Sequence, residues 1–332
     1  MPAPVRRFVF VLAAPTLLAL VLAGVAAAGN GGVGPPDPAS PNAANIRDVY
    51  WLILGVTGGI FVLVEGALIL FVVRYRSRGR PREVEGPQIR GHTNLELAWT
   101  AGPVVILAII AGFVFYKISG INNTSGIPPA QGATPVEQIR IEGHQYYWEF
   151  RYPDGTIAVD HLRLPYNRVV RLQIVGHDVN HSWWVPALGG KLDAIPGKTN
   201  YTSFRATKLG TFRGQCAEFC GIQHAAMIAQ VEVLPQAEYD AWVRERHASA
   251  AGLGRETFVG VCAKCHGLTG QGDIGPAIAQ SPLLKDRKAL TTLLREGTGT
   301  MPAVGQTWND TQLKALIEYL GQRFGQGGGS GG

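Results

Sequence analysis

The sequence predicts a multidomain membrane protein: a two-helix transmembrane hairpin, then an all-β sandwich or barrel, then a small all-α domain. Three observations carry this. Two apolar stretches, Tyr50–Val73 and Leu97–Tyr116, are each long enough for the ~20 residues that cross a bilayer. Between residues 121 and 235, short runs rich in β-branched and aromatic residues alternate with Gly, Pro, Asn and Asp, without helices between them. From Arg255 the pattern turns helical, most clearly in TWNDTQLKALIEYLGQRF, where Leu313, Leu316, Ile317 and Leu320 fall on one face.

Arg6 and Arg7, an apolar run from Phe8 and Ala26-Ala27-Ala28 read as a signal peptide at 1–28, a retained third span being the alternative. Residues 29–44 (within them GNGGVGPPDPASPN) read as a flexible Gly/Pro linker, and 45–120 as the hairpin. The first span holds one charge, Glu65, either a functional carboxylate or one satisfied against a neighbouring subunit. Between the spans lies RYRSRGRPRE, which the positive-inside rule places in the cytoplasm, so that everything after Lys117 faces outward.

In the β region, EQIRIEG, YYWEFRY, RVVRLQIVG, YTSFRAT and MIAQVEV are the expected strands. A linker is expected at 236–250, the helical domain at 251–325 with a capping signal at Thr307 and Asp310, and a flexible tail at 326–332.

The net charge of +6 is supplied entirely by Arg6, Arg7 and the segment Arg74–Arg90, which excludes a nucleic-acid partner. The four cysteines, 216, 220, 262 and 265, occur as two close pairs. As ligands or attachment points they leave no thiol for a disulfide; as disulfides they would close only short loops.

The first pair lies in GQCAEFCGIQHAAM, which gathers Cys216, Cys220, His224 and Met227, with His181 of NHSWW as the partner from a separate loop. One thiolate, two imidazoles and a weak axial thioether suffice for a single copper. Two thiolates on one tight loop can bridge two coppers, each completed by an imidazole, with Met227 and a backbone carbonyl as weak outer ligands. That arrangement carries electrons without turning over a substrate. A Cys/His zinc site accepts the same donors.

HSWWVPALGGKLDAIPG followed by GQCAEFCGIQHAAM resembles subunit II of the haem-copper cytochrome c oxidases. The resemblance implies a cupredoxin-like domain at 121–235 holding the dinuclear copper centre CuA on His181, Cys216, Cys220, His224 and Met227, with Glu218 offering its main-chain carbonyl. It implies further that the Glu218 carboxylate reaches a magnesium ion shared with subunit I. LELAWTAGP resembles the start of the family's second span, where a glutamate three residues before a tryptophan marks the cytoplasmic mouth of a proton pathway into subunit I; that position is Glu96, an ordinary interfacial carboxylate being the alternative. The family's Gln-Trp-Tyr-Trp is Gln145-Tyr146-Tyr147-Trp148 here, so the tryptophan that receives electrons from soluble cytochrome c is not carried over.

CAKCH, Cys262 to His266, is the attachment pattern of c-type haem, two thiols bonding the vinyl groups and the histidine binding iron; zinc and redox sites share the bare motif. A helix before it, Gly267 after it, Pro276 in GPAI against the proximal imidazole and Met301 in GTMP as the opposite ligand extend the pattern to a cytochrome c domain at 251–325. His/Met ligation raises the haem potential, which suits donation towards copper.

Over about residues 45 to 325 the chain resembles subunit II of a caa-type oxidase, whose donor cytochrome is fused to its C-terminus. The resemblance implies an electron-transfer subunit of an oxidoreductase and proton translocator. Electrons pass from an upstream cytochrome c or bc-type complex to haem c, to CuA, and on to subunit I, where oxygen is reduced; the chain itself lacks the histidine set for that chemistry. Subunits I and III and the lipid bilayer are the implied partners, and the redox domains lie on the periplasmic side of a bacterial plasma membrane. A CuA subunit of a nitric oxide reductase and a stand-alone membrane-anchored carrier are the alternatives.

Overall fold

The computed structural model describes residues 34–76, 88, 90–122 and 137–325. The expected signal peptide at 1–28, most of the arginine-rich loop and the expected flexible tail at 326–332 lie outside the described residues.

Helices α1 (Pro41–Tyr75) and α2 (Thr93–Asn122) form the hairpin. Their most apolar stretches have a mean hydropathy of 2.4 and 2.3. Phe61, Leu63, Leu70, Val104, Leu107 and Phe115 are all exposed, and a helix apolar on every side needs lipid around it. Lys117 Nζ bonds Asp48 Oδ2 at 2.6 Å and Asn45 Oδ1 at 3.2 Å, tying the two helices together at one end.

The expected linker at 29–44 is ordered over its last part. Residues 37–43 belong to the body formed by residues 120–332, whereas 44–119 form a body of their own. Ala39 N donates to Ala187 O and Thr207 N to Ala39 O, both at 2.7 Å, and Ser40 Oγ donates to Leu188 O at 2.6 Å. The small side chains of PASPN let the backbone lie flat against the β domain, which satisfies its polar groups there.

Among the described residues ten strands make the sandwich. They are β1 (Glu137–His144), β2 (Tyr147–Arg151), β3 (Ile157–Val159), β4 (His161–Pro165), β5 (Val169–Gly176), β6 (His181–Trp184), β7 (Leu192–Ala194), β8 (Asn200–Arg205), β9 (Gly210–Cys216) and β10 (Ile228–Leu234). One sheet runs β3-β2-β1-β5-β8, the other β4-β10-β9-β6-β7. β1 with β5 and β4 with β10 are parallel, so the chain crosses between sheets in the manner of a cupredoxin-like fold. Strict alternation turns Val170, Leu172 and Ile174 of β5, and Ala229, Val231 and Val233 of β10, into a core shared with Trp148, Phe150 and Trp183. The five expected strands are present. β3, β4, β6, β7 and β9 are too short or too polar to stand out by alternation, and His181, expected on a loop, opens β6.

The stretch expected as a second linker is a helix, α3 (Gln236–Ala248). Tyr239 is buried against the sandwich core, with Trp242 and Val243 beside it. The guanidinium carbons of Arg163 and Arg246 lie 5.1 and 5.8 Å from the Trp242 ring centroid, and both arginines bond Glu256 Oε1. Three large apolar residues, Tyr239, Trp242 and Val243, among alanines and charged side chains leave little periodic signal in QAEYDAWVRERHA.

The C-terminal domain consists of α4 (Ala251–Thr257), a wide turn at Phe258–Cys262, α5 (Ala263–His266), α6 (Arg287–Glu296) and α7 (Asp310–Phe324). Leu313, Leu316, Ile317 and Leu320 are buried, as their spacing requires. The cap of α7 is not Thr307 but Asn309, whose side chain accepts from Gln312 N at 2.9 Å; Asp310 is already the first helical residue. This core also takes in Tyr147 and Val159 from the sandwich, packed with Phe258, Leu294, Trp308 and Phe324. α4 crosses α7 at Gly254, where an added Cβ would stand 2.2 Å from Ala315 O. Gly254→Ala should therefore push the two helices apart and cost about 1–3 kcal/mol of stability, read as a lower unfolding midpoint of the C-terminal domain.

Candidate functional site

Pairing of β6 with β9 sets Trp183 opposite Cys216 and so brings the imidazole that opens β6 to the thiol that ends β9. The following loop turns back, with Cys216 N donating to Met227 O at 2.9 Å, which returns Cys220, His224 and Met227 to the same place. Cys216 Sγ lies 3.9 Å from His181 Nδ1 and 3.2 Å from Glu218 O; Cys220 Sγ lies 3.6 Å from His224 Nδ1 and 3.8 Å from Met227 Sδ. The donor atoms of His181, Cys216 and Cys220 all fall within 4.8 Å of one another. His181 and Met227 are wholly buried and the two cysteines nearly so, whereas the Glu218 side chain is exposed. All the residues expected at this centre thus meet, and Glu218 presents its carbonyl inward.

Sequence reasoning did not single out the residues that aim these ligands. Asp178 Oδ1 stands 2.7 Å from His181 Nε2, leaving Nδ1 facing the thiols. Asp178 is itself held by Gln145 N at 2.6 Å and Val179 N at 2.7 Å. Gln145 Nε2 donates to Cys220 O at 2.6 Å. An aspartate three residues before the ligating histidine was the available signal. Gly143 leaves room for the imidazole, since a Cβ there would come within 3.0 Å of the His181 ring.

The electrostatics distinguish the thiols. Burial opposes ionisation of Cys216, but the hydrogen bonds from His181 and the neighbouring main chain outweigh it and hold its thiol below the ordinary value. Cys220 is pushed up to about 12 by burial and by the adjacent Cys216. Such a pair ionises fully only when cations take the place of its protons.

In the C-terminal domain His266 is buried at the end of CAKCH, and its Nδ1 stands 2.6 Å from Pro276 O, which leaves Nε2 for a metal. Gly275 lies against the same ring, where a Cβ would be 2.8 Å from His266 Cε1. Burial pushes the Cys262 thiol up to about 12 and raises Cys265. Met301 lines the edge of this core with Cys262, Ile278, Leu284 and Val304. In the hairpin, Glu96 is in the first turn of α2, where its Oε1 accepts from His92 N at 3.2 Å, and Glu65 is exposed midway along α1.

A second cluster of donors joins Glu142, His144 and His177. His177 Nε2 is 3.1 Å and His144 Nε2 3.8 Å from Glu142 Oε2, and the two rings stack at 4.6 Å with only 4° between their planes. Parallel rings do not converge their lone pairs on one ion. Arg140 at 2.5 Å and Arg151 at 3.3 Å already neutralise the carboxylate, so the cluster is an ion-paired stack that stiffens the end of β1.

Residues 28–116 match the family described as Cytochrome C oxidase subunit II, transmembrane domain, and residues 155–234 that of the subunit II periplasmic domain. Residues 249–320 match Cytochrome C oxidase, cbb3-type, subunit III. The cytochrome c oxidase subunit 2 of Alkalihalophilus pseudofirmus is 34% identical over 312 residues, covering 86% of this chain and 89% of that one. The chain belongs to the cytochrome c oxidase subunit 2 family. The subunit 2 of Thermostichus vulcanus is 34% identical over 260 residues, 65% of this chain and 79% of that one. Among solved structures, the periplasmic domain of subunit II from Bradyrhizobium japonicum is 36% identical, covers 34% of this chain and 94% of its own, and has a TM-score of 0.33. This subunit II is a membrane-anchored part of an oxidoreductase, with a fused cytochrome c domain and its redox domains outside the membrane. Membership implies copper for the first domain and haem for the second, and the donor sets fit both: soft sulfur and imidazole atoms converge in one, and an oriented histidine follows two thiols in the other.

The Glu142 stack generates a prediction. Burial opposes its ionisation, but His144, His177, Arg151 and Arg140 hold the carboxyl well below the usual range. Its stabilising contribution is therefore whole above the ordinary carboxylate pKa and is lost as the pH falls below it. Glu142→Gln should cost about 1.5–3 kcal/mol near neutrality and flatten the acid limb of stability, checked by urea unfolding across that range.

Proposed function

We propose that this chain is subunit II of a caa-type oxidase and that His181, Cys216, Cys220, His224 and Met227, with the Glu218 carbonyl, hold a dinuclear CuA centre. The carrying observation is the meeting of two buried thiols with His181 Nδ1, His224 Nδ1 and Met227 Sδ at one end of the sandwich. Two coppers held there would share one unpaired electron and would supply one-electron transfer at little reorganisation cost. The chain's part is to keep the ligands still: Asp178 fixes the imidazole, Gln145 the loop carbonyl, and the closed core excludes water.

Cys262 and Cys265 would attach haem c and His266 and Met301 would bind its iron, with the Pro276 carbonyl holding the His266 ring in place. The exposed Glu218 carboxylate completes a magnesium site with subunit I. Exposed Phe219 and Ile222 on the same loop, 76% and 80% accessible, offer subunit I an apolar contact. Glu96 marks the mouth of a proton pathway into subunit I. Subunit III and an upstream cytochrome c or bc-type donor complete the assembly, and 1–28 is the signal peptide.

Metal analysis of the purified chain should give two coppers and one iron, with a mixed-valence signal in electron paramagnetic resonance. Cys216→Ser should abolish the near-infrared copper band while leaving the c-haem spectrum; a single copper or zinc in the wild-type site would overturn the assignment.

A further inference from the structure

We propose that Lys264 and Gln223 are the positioning pair of the internal electron step, docking the haem-attachment loop directly on the copper loop; this rests on the ligand assignment above. Lys264 lies between the two attachment cysteines, so its main chain, in α5, belongs to the segment that would carry the haem. Its carbonyl accepts a hydrogen bond from Gln223 Nε2 at 3.2 Å, and Gln223 immediately precedes His224. One hydrogen bond thus joins the neighbour of a copper ligand to the segment between the two haem thiols.

The Lys264 ammonium holds this arrangement from the other side. Nζ donates to Asp160 Oδ2 at 2.5 Å and to Tyr146 O at 2.8 Å, with the lysine side chain 14% and the aspartate 12% exposed. Asp160 is anchored in turn, its Oδ1 accepting from Trp148 N at 2.8 Å. A lysine at this depth is stable only with its partners in place, so the ion pair specifies one docked position. The backbone closes in at Gly260, where a Cβ would meet Val159 Cγ1 at 2.7 Å. Around it, Tyr147 Oη donates to Val304 O and accepts from Trp308 Nε1, both at 2.9 Å, and Gln312 Nε2 donates to Glu149 Oε2 at 3.0 Å.

The cytochrome domain is therefore seated rather than swinging. The step would ask no proton and no covalent change of the chain: a haem iron held by His266 would supply one electron and copper held beside Gln223 by His224 would accept it.

The test uses the full chain in its assembled oxidase. Copper and iron content and both spectra are recorded first; absence of the copper band in the wild-type chain would sink the ligand assignment, and this proposal with it. Hydrogen exchange of residues 258–266 then reports docking, and flash photoreduction of the haem reports transfer to copper. Gln223→Leu should keep both spectra and the amide protection while slowing transfer about tenfold, since removing the bridging contact misplaces the partners. Lys264→Met should lose the protection, and Lys264→Arg should recover part of it. Wild-type transfer in Gln223→Leu, or full protection in Lys264→Met, would overturn the proposal. Should Gln223→Leu lose copper, Gln223→Asn, which keeps the amide but shortens its reach, decides: slowed transfer supports the bridge and an unchanged rate refutes it.

Discussion

The pairing of β6 with β9 is the constraint on which the copper end of the molecule depends. It sets residues 35 positions apart in the chain, His181 and Cys216, within hydrogen-bonding reach of each other in a buried pocket. Two thiols and an imidazole concentrated there are poorly solvated, and their surroundings leave Cys216 readier to lose its proton and Cys220 readier to keep it. In the proposed centre metal would take the place of those protons, and the sandwich would hold the ligands still. Asp178 and Gln145 show how the surrounding loops serve that end, each fixing one ligand or one ligand's carbonyl.

The same logic of shared burial governs the union of the two redox domains. Tyr147 and Val159 belong to sandwich strands by sequence and to the cytochrome core by packing, and Ile157 packs with Leu253 and Ala315 in the same way. Neither domain's apolar surface is closed without the other. The stretch between them is correspondingly a packed helix, with Trp242 held between two arginines. A cytochrome domain packed in this manner has a defined position relative to the sandwich.

Much of this was legible in the chain itself, and for identifiable reasons. Spans of lipid-crossing length, the thiol, imidazole and thioether spacing of GQCAEFCGIQHAAM and the CAKCH motif are local patterns whose chemistry follows from composition and separation. The structure brings His181, Cys216 and Cys220 together and sets His266 Nδ1 against Pro276 O. The misread pieces are those whose signal is tertiary. Residues 236–248 are too charged to look like a packed helix, Ala39 and Ser40 look like linker because they are small, and Asn309 displaces Thr307 as a cap through backbone geometry two residues further on.

Sequence alone determined the kinds of domain, their order, the topology in the membrane and the donor atoms available to each centre, because these depend on hydrophobic length, alternation and residue chemistry over short separations. Tertiary structure decided which side chains orient those donors and how the two centres face each other. Asp178, Gln145, Asp160, Lys264 and Gln223 carry no local motif; their roles arise only when strands and loops distant in the chain bring one charge or amide against one carbonyl, and directed hydrogen bonds of that kind are set by three-dimensional register.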